Sequence, residues 1–310
     1  MLFHFSIKKF RFFNRKKEDD VSLSDAEILM LQEKSKNIQL HFAQTSKLSD
    51  ENMAGDLQSR THGTGIDFEE NQPYFPGNDS RHINWRTYAR TRQLYINIYN
   101  EDKRPSLYVV MDQRRDMYFA TRKQLKIKLA LKLAFYNIFH AVYQQYTVSG
   151  MQIKTVPQWH TVYSGQSSVL SFIKELNRPK RNITAANTEP ALNDILSRLQ
   201  LKEGAELVII SDFHDMNDNT INLLYHFSMK NKISLIQVLD PIELALPTSG
   251  NFRITGDTDS EVLQLDCNNK RITERYNNIS TETFSRYQSQ CQNMGIKFTR
   301  YLTTDDIEYE

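Results

Sequence analysis

The amino-acid sequence predicts an α/β protein in which helices cover both faces of a mostly parallel β-sheet. Three short segments are almost wholly apolar, as strands buried on both faces of a sheet are, and they span residues 107–111, 207–210 and 233–239. Segments with helical periodicity alternate with these strands, which is typical of βαβ units. The length of 310 residues allows one large domain or two smaller ones.

The first third of the chain is predicted to hold an N-terminal helix and a β-rich segment. The predicted elements are a helix over residues 25–42, a short helix over residues 81–88 and a half-buried strand over residues 94–99. Ser24 can cap the first helix and Asp79 the second. Gly63 and Gly65 favour turns between them.

The rest of the chain alternates helices and strands. Besides the three buried strands, we predict helices over residues 122–145, 167–177, 189–199, 217–230 and 281–294, and strands over residues 149–155, 252–255, 262–265 and 296–302. A Gly-Asp turn at residues 256–257 makes a C-terminal β-hairpin of two of these strands. We therefore divide the chain into a basic segment (1–20), a signature region (21–104) and a main domain (105–310), with the hairpin inserted near residues 250–266.

The N-terminal segment is basic and rich in phenylalanine. Residues 1–17 contain six lysines and arginines and no acid, so the remainder carries a formal −4 although the whole chain carries +2. Such a segment can contact an anionic membrane surface, or it can dock on the body of the protein as a strand. Its charges interrupt any apolar core, which argues against a secretory signal peptide.

The compartment is predicted from the cysteines and the hydropathy. No apolar run approaches the ~20 residues that span a bilayer. Cys267 and Cys291 are the only cysteines, and neither has neighbours with metal-ligand spacing. We expect two reduced thiols and a cytoplasmic protein, with peripheral contact at the inner membrane face through residues 1–17 as the alternative.

Acidic residues follow two of the predicted buried strands. Asp112 comes directly after residues 107–111, and Ser211-Asp212 comes directly after residues 207–210. The carboxyl ends of parallel strands meet at one edge of the sheet, which is where α/β sheets bind ligands. We therefore expect the Asp112 and Asp212 carboxylates to lie close together.

A long motif in the signature region is specific enough to indicate a family. It reads Gly63-Thr64-Gly65-Ile66-Asp67-Phe68-Glu69-Glu70, continues through Tyr74, Pro76-Gly77-Asn78-Asp79, Arg81 and Ile83-Asn84-Trp85, and ends at Ala89-Arg90. This resembles the signature of the bacterial domain-of-unknown-function family 58, G-x-G-x-x-F-x-E followed by Y-x-x-G-D-D-x-R-x-I-D-W and A-R. The resemblance continues at Asp112, Ser211-Asp212-Phe213, Asp240-Pro241-x-Glu243, Leu246-Pro247 and Tyr301–Asp305, and covers about residues 25–307.

The resemblance implies a fold and a class of partner. Members of this family carry a von Willebrand factor A-like (Rossmann-like) domain, and they often act beside MoxR-type AAA+ ATPases in systems that assemble or activate other proteins. Fold alone does not establish that function. In the signature, Asn78 and Asn84 replace two acids of the family pattern.

The resemblance also implies a metal-ion-dependent adhesion site, typically D-x-S-x-S, from which this chain departs. Here the first Asp is Asp112, but the two serines are Arg114 and Asp116. The candidate ligands for Mg²⁺ are Asp112, Asp116, Thr188 (with Thr184 as the alternative) and Asp212. A guanidinium cannot coordinate a cation, so Arg114 instead suits a bidentate ion pair with Asp112 or Asp212. Solvated surface charges are the third interpretation, and we expect a degenerate site.

A second group of residues in the signature region is a candidate partner-binding surface. It consists of Asp79, Arg81, Trp85, Arg86 and Arg90, with Arg92, Tyr88 and Tyr95 interleaved. Trp, Tyr and Arg are the usual anchors of protein interfaces. Arginines with aromatics can also bind nucleic acid, but the near-neutral chain disfavours this. The structural alternative buries Trp85 and pairs the arginines with Asp67, Glu69, Glu70 or Asp79.

Catalytic motifs are absent from the sequence. It contains no G-x-S-x-G, P-loop or H-E-x-x-H pattern. His214 beside Asp215 could act as an acid–base pair, but we expect a solvated loop histidine instead. We therefore predict a non-enzymatic interaction or assembly factor without a cofactor. The alternatives are a peripheral membrane or cell-envelope factor and a metal-dependent hydrolase using Asp112 and Asp212.

Overall fold

The computed structural model describes residues 21–36, 67–74, 83–100, 105–154, 158–163, 166–178, 189–255 and 262–305. These residues form two compact units. The larger unit contains residues 21–36 and the described residues from 105 onward, and the smaller unit contains residues 67–74 and 83–100. Residues 1–20, Thr184, Thr188, Asp79, Arg81 and the hairpin turn at 256–257 lie outside the described residues, so the predictions made for them remain predictions.

The elements of the described residues alternate as predicted. In chain order they are α1 (25–36), β1 (Asp67–Pro73), α2 (Trp85–Thr91), β2 (Tyr95–Asn100), β3 (Ser106–Asp112), a 3-10 turn (Arg115–Tyr118), α3 (Lys126–Tyr143), β4 (Thr147–Ile153), β5 (Gln158–Tyr163), α4 (Gln166–Leu176), α5 (Leu192–Leu196), β6 (Glu206–Ser211), α6 (Asp218–Ser228), β7 (Lys232–Leu239), α7 (Pro241–Leu244), β8 (Asn251–Thr255), β9 (Val262–Asp266), α8 (Lys270–Asn293) and β10 (Lys297–Leu302).

A six-stranded sheet in the order β10-β7-β6-β3-β4-β5 forms the centre of the larger unit. Its strands are parallel except β5, which pairs antiparallel with β4. Successive side chains of a strand point to opposite faces. Val109 and Met111 therefore pack with α3 and α4, whereas Tyr108 and Val110 pack with α5 and α6. The predicted α/β class, with a parallel sheet covered on both faces, is confirmed.

Gly150 in β4 shows how closely the helical layer approaches the sheet. A Cβ atom at this position would overlap the ring of Phe172 on α4. Phe172 is fully buried, so its ring cannot swing into solvent. Glycine is therefore required here for close packing of α4 on the sheet.

Helix α1 packs on the larger unit. The predicted cap at Ser24 is confirmed, because its side chain accepts from Glu27 N at 3.3 Å while Glu27 accepts from Ser24 N at 2.9 Å. Leu31 is buried against the α3 side of the core, and Asn177 accepts from Leu23 N at 2.8 Å. The predicted division placed this helix with the signature region, whereas the structure groups it with the main domain.

Two helices of the larger unit begin away from their predicted positions. Helix α3 begins at Lys126 instead of residue 122: Leu125 is its N-cap with extended backbone, and Lys126 N donates to Phe119 O at 3.0 Å. Helix α8 begins at Lys270 instead of residue 281. Its first turns are polar, and the only buried residue among residues 270–279 is Thr273, so the apolar periodicity did not reveal them. Strand β5 was not predicted.

The smaller unit consists of an antiparallel β1–β2 pair and the short helix α2. The helix begins at Trp85 and is capped by Asn84, whose side chain accepts from Thr87 N at 2.9 Å. The helix therefore begins four residues after the predicted position, and the predicted cap Asp79 lies outside the described residues. In the larger unit, β8 and β9 form the predicted C-terminal hairpin. Within the described residues, no helix combines the length and hydropathy needed to cross a membrane.

A candidate carboxylate site at the sheet edge

Three neighbouring parallel strands of the sheet end in buried aspartates. Asp112 ends β3, Asp212 follows β6 and Asp240 follows β7, and each side chain is almost fully inaccessible to solvent. Because these strands are parallel neighbours, the three carboxylates lie at one edge. Asp112 and Asp212 line the same cavity, as predicted. Buried carboxylates are costly unless they are paired or hydrogen-bonded, so their partners define the site.

Arg114 binds Asp112 with its guanidinium and with its backbone. Its Nε lies 3.0 Å from Asp112 Oδ1, its Nη2 lies 2.7 Å from Oδ2, and its backbone N donates to Oδ1 at 2.9 Å. Ser211 Oγ donates to Asp112 Oδ2 at 2.7 Å. The predicted ion pair between Arg114 and Asp112 is present, and both oxygens of this carboxylate are engaged.

The second carboxylate bound by Arg114 is Asp215, not the predicted Asp212. Arg114 Nη2 lies 3.0 Å from Asp215 Oδ1, and Nη1 contacts Oδ2. Asp215 also accepts from Leu192 N at 2.8 Å, which ties it to the start of α5. Burial lowers the pKa of Arg114, but the carboxylates of Asp112 and Asp215 more than offset this and raise it above its usual value. The guanidinium is therefore a fixed positive charge between two aspartates.

Asp212 is neutralised by Lys126, a residue that the sequence analysis did not single out. The Lys126 side chain is 0% exposed, and its ammonium lies 2.9 Å from Asp212 Oδ2 and 2.7 Å from Glu243 Oε1. Burial raises the pKa of both carboxyl groups, but Lys126 more than compensates and holds both below their usual values. The pKa of Lys126 is raised in turn, because the two carboxylates outweigh its burial.

His214 belongs to this buried cluster. Its Nε2 lies 2.9 Å from Glu243 Oε1, and its side chain is 15% exposed. Burial lowers the pKa of His214, but Asp212 and Glu243 outweigh burial and raise it. The interpretation as a solvated loop histidine is wrong, and so is the His214–Asp215 acid–base pair, because Asp215 binds Arg114 and His214 binds Glu243.

Asp240 is buried, and among the residues that the structure describes no cationic side chain forms a salt bridge with it. Its carboxylate accepts from Thr121 N at 2.8 Å, from Thr303 Oγ1 at 2.8 Å and from Ile242 N at 3.2 Å, and it also contacts Thr121 Oγ1. Glu243 accepts in return from Asp240 N at 2.6 Å, which completes a capping box for α7. This aspartate therefore joins β7, α7 and the end of β10 and has a structural role.

The described residues do not fit the Mg²⁺ site that the resemblance implies. Mg²⁺ needs free oxygen ligands in near-octahedral geometry. The Asp112 oxygens accept from Arg114 and Ser211, and Asp212 Oδ2 accepts from Lys126. Asp116 lines the cavity, but the guanidinium of Arg114 lies where the family pattern has a serine ligand. Two protein cations therefore engage the carboxylates that a metal would need.

A cavity of 240 Å³ opens at this edge. It is lined by Asp112, Arg114, Asp116, Met117, Glu189, Pro190, Ala191, Asp212, His214 and Asp215. Five of these residues are acids, and three of them, Asp112, Asp215 and Asp212, are bound by Arg114 or Lys126. Glu189 accepts from Arg115 N at 3.0 Å, which fixes the 3-10 turn after β3 against the segment that leads into α5. In the described residues, no serine or cysteine nucleophile with a basic partner lines this cavity.

The candidate partner-binding residues of the smaller unit lie on an exposed helix. Trp85 is 63% exposed, and its ring meets the Tyr88 ring edge-on with centroids 6.1 Å apart. Arg86 and Arg90 are exposed on the same helix, and Arg92 is exposed directly after it. The alternative in which Trp85 is buried is therefore wrong. Asp79 and Arg81 of the predicted set lie outside the described residues.

The fold and the sheet edge define an α/β protein of the doubly covered parallel-sheet class, with strand-end carboxylates neutralised by an arginine and a lysine. The chain belongs to the family described as "Protein of unknown function DUF58", which it matches over residues 70–285. This finding confirms the family indicated by the signature motif.

Relatives of this chain are themselves uncharacterized. The uncharacterized proteins Rv1480 of Mycobacterium tuberculosis and Mb1516 of Mycobacterium bovis are each 24% identical to it over 214 residues, which is 68% of this chain and 66% of each relative. Among solved structures, the conserved hypothetical protein BatB from Bacteroides thetaiotaomicron is 10% identical with a TM-score of 0.36, covering 62% of this chain and 98% of that one. An aerotolerance-related membrane protein from Bacteroides fragilis is 14% identical with a TM-score of 0.40, covering 64% and 91%.

Proposed function

We propose that this protein is a non-enzymatic interaction or assembly factor that docks an acidic protein partner through helix α2. The docking surface consists of Trp85, Arg86 and Arg90, with Arg92 beside them, and we include Asp79 and Arg81 from the signature motif. The observation that carries the proposal is the 63% exposure of Trp85 on a helix without buried residues. By the family resemblance, the partner is a MoxR-type AAA+ ATPase.

The composition of this surface supports docking of a protein. Trp and Arg are enriched among the few residues that carry most of the binding energy of an interface. The proposed surface contains four arginines, Arg81, Arg86, Arg90 and Arg92, and one acid, Asp79, so it favours a partner that presents carboxylates. A nucleic-acid partner is disfavoured because the chain carries only +2, and phosphate binding needs a basic field.

The sheet edge supports a non-enzymatic role. Asp112 and Asp212, the residues that a metal-dependent hydrolase would use, are bound to Arg114 and Lys126. His214 is bound to Glu243 and not to Asp215, so the predicted His214–Asp215 pair is not formed.

The test uses the full chain and a purified MoxR-type ATPase from the same organism, with affinity measured by isothermal titration calorimetry. We expect Trp85→Ala to weaken binding about 30-fold, as the loss of an interface anchor worth ~2 kcal/mol would do. Tyr225→Ala is the matched control, because Tyr225 is an exposed aromatic residue of the larger unit. Trp85→Ala should leave the melting temperature unchanged, since an exposed side chain adds little to stability.

Two outcomes contradict the proposal. Equal affinity of wild type and Trp85→Ala shows that α2 is not the docking surface. Absence of binding by the wild type removes the ATPase as partner, and binding of labelled single-stranded DNA that is lost in Arg86→Ala would assign the surface to nucleic acid instead.

A further inference from the structure

The buried cluster around Lys126 has the chemistry of a metal site with a lysine at its centre. One donor atom each from Asp212, His214 and Glu243 lies within 4.8 Å of the other two. The Lys126 ammonium is bound to two of these three residues, at 2.9 Å from Asp212 Oδ2 and 2.7 Å from Glu243 Oε1. Its side chain is 0% exposed, so it is a permanent part of the core and not a surface lysine.

The three donors suit a transition-metal ion better than Mg²⁺. Carboxylate oxygens and an imidazole nitrogen are common ligands of Zn²⁺ and of ions with similar preferences, at about 2.0–2.2 Å. The ammonium bonds to Asp212 and Glu243 are 2.9 and 2.7 Å long, so these two oxygens need to close by less than an ångström around a metal ion, and His214 Nε2 lies 2.9 Å from the same Glu243 oxygen. The charge of the cluster also favours a cation, because Asp212 and Glu243 carry two negative charges and need a buried counter-ion.

We infer that Lys126 is a resident cation occupying a latent transition-metal site formed by Asp212, His214 and Glu243. The wild-type sheet edge therefore requires no divalent metal, and removal of the ammonium uncovers a site for one. This site differs from the strand-end set that the family resemblance implies, with which it shares only Asp212. The inference is independent of docking at α2, because every measurement below uses this chain alone.

The wild-type protein provides the first test. Full-length chain is melted in the presence of EDTA and then, after removal of EDTA, with Co²⁺, whose visible absorption reports coordination. We expect the melting temperature to be the same in both conditions and no cobalt absorption band at one equivalent. A melting temperature that falls with EDTA, or a bound equivalent of Co²⁺ that is lost in His214→Ala, overturns the inference.

The second test removes the ammonium. We expect Lys126→Ala to melt below the wild type without metal, to regain part of the difference with Co²⁺, and to develop a cobalt absorption band with one bound equivalent. The double variant Lys126→Ala/His214→Ala should lose the band, which separates this site from surface ligands. Lys126→Met is the control for volume: its side chain fills the space, and we expect no stoichiometric cobalt binding.

The inference can be tested even if Lys126→Ala does not fold without metal. If Lys126→Ala folds only when refolded with Co²⁺, the metal replaces the ammonium and the inference holds. If it neither folds nor binds Co²⁺, or folds without binding the ion, then Asp212, His214 and Glu243 do not form a metal site, and the inference is wrong.

Discussion

At the residue scale, Lys126 and Arg114 both neutralise pairs of carboxylates, but their side chains differ in exposure. Each cation lies between two carboxylates, but Lys126 is 0% exposed and Arg114 is 11% exposed. Removing one member of a buried ion pair leaves an uncompensated charge, whereas an exposed pair contributes little. Three lysines of α3 bind acids: Lys126 binds Asp212 and Glu243 in the core, whereas Lys128 and Lys132 pair with the partly exposed Glu27. This allows the difference to be measured within one helix.

We expect Lys126→Met to lower the free energy of unfolding by about 3–5 kcal/mol, because Asp212 and Glu243 lose their counter-ion. The measurement is equilibrium unfolding in urea. Lys128→Met is the control: Lys128 pairs with Glu27 at 3.2 Å near the surface, and its loss should cost at most ~1 kcal/mol. Equal effects of the two substitutions would show that the buried pair contributes no more than the surface one.

The stability of the fold should also depend on the protonation of His214. The pKa of His214 is raised above its ordinary value of 6.5 in the folded protein, because Asp212 and Glu243 outweigh its burial. Its contribution is therefore fully present below about pH 6.5 and is lost as the pH rises through the folded pKa.

We expect the wild-type free energy of unfolding to decrease as the pH rises above 6.5, and His214→Gln to flatten this decrease. The measurement is urea unfolding over a series of pH values. His226→Gln, at an exposed histidine of α6, serves as the control and should follow the wild-type curve. A His214→Gln curve parallel to the wild type would mean that the imidazole does not carry this dependence.

Part of the site could be predicted from single residues. The Arg114–Asp112 pair followed from an arginine two positions after a strand-end aspartate, which is a local relation. Lys126 could not be found in this way, because its partners Asp212 and Glu243 are distant in sequence and helical periodicity treats lysine as exposed. Asp215 was missed as a partner of Arg114 because it lies three residues after the strand-end Asp212, in the segment between β6 and α6, whose path a strand pattern does not give.

At the scale of elements, the close approach of α4 to β4 depends on Gly150. Because a Cβ at this position would overlap the Phe172 ring, Gly150→Ala should push α4 away from the sheet. We expect a loss of about 1–3 kcal/mol in the free energy of unfolding, as overpacking of a core typically causes. The measurement is equilibrium unfolding in urea.

A smaller side chain at position 172 tests whether the effect of Gly150→Ala arises from its contact with Phe172. Phe172→Leu alone leaves space and should also destabilise the protein, but the double variant Gly150→Ala/Phe172→Leu should lose less than the two single losses together. Strictly additive losses would indicate that the Gly150–Phe172 contact is not what limits the distance between helix and sheet.

The strands were easier to predict than the ends of helices. Strands β3, β6 and β7 are apolar on both faces, and their positions follow from composition alone. Helix α3 starts four residues after its predicted position without a side-chain cap, and the early turns of α8 bury almost nothing apolar. Such helix starts are fixed by tertiary contacts, which a periodicity pattern does not contain.

At the scale of the whole molecule, the net charge of +2 does not describe the charge of individual segments. Residues 81–100 carry four arginines and no acid, whereas the cavity of the larger unit is lined by five acids and one arginine. The arginines on and beside α2 give this helix a local positive field, which attracts an acidic partner.

This local field predicts how docking responds to salt. Exposed charges are screened within about 10 Å at 0.1 M ionic strength. Charge pairs at the rim of an interface act mainly on the association rate. We therefore expect the association rate constant with the acidic partner to fall as salt rises. We also expect Arg86→Glu/Arg90→Glu to lower this rate constant at low salt and to reduce its salt dependence.

Arg198→Glu, at an exposed arginine of the larger unit, is the control for charge reversal as such. Surface plasmon resonance over a series of salt concentrations measures these rates. Rates that do not change with salt, or that fall equally in Arg198→Glu, would mean that α2 does not guide the encounter, and only the contact of Trp85 would remain to support docking there.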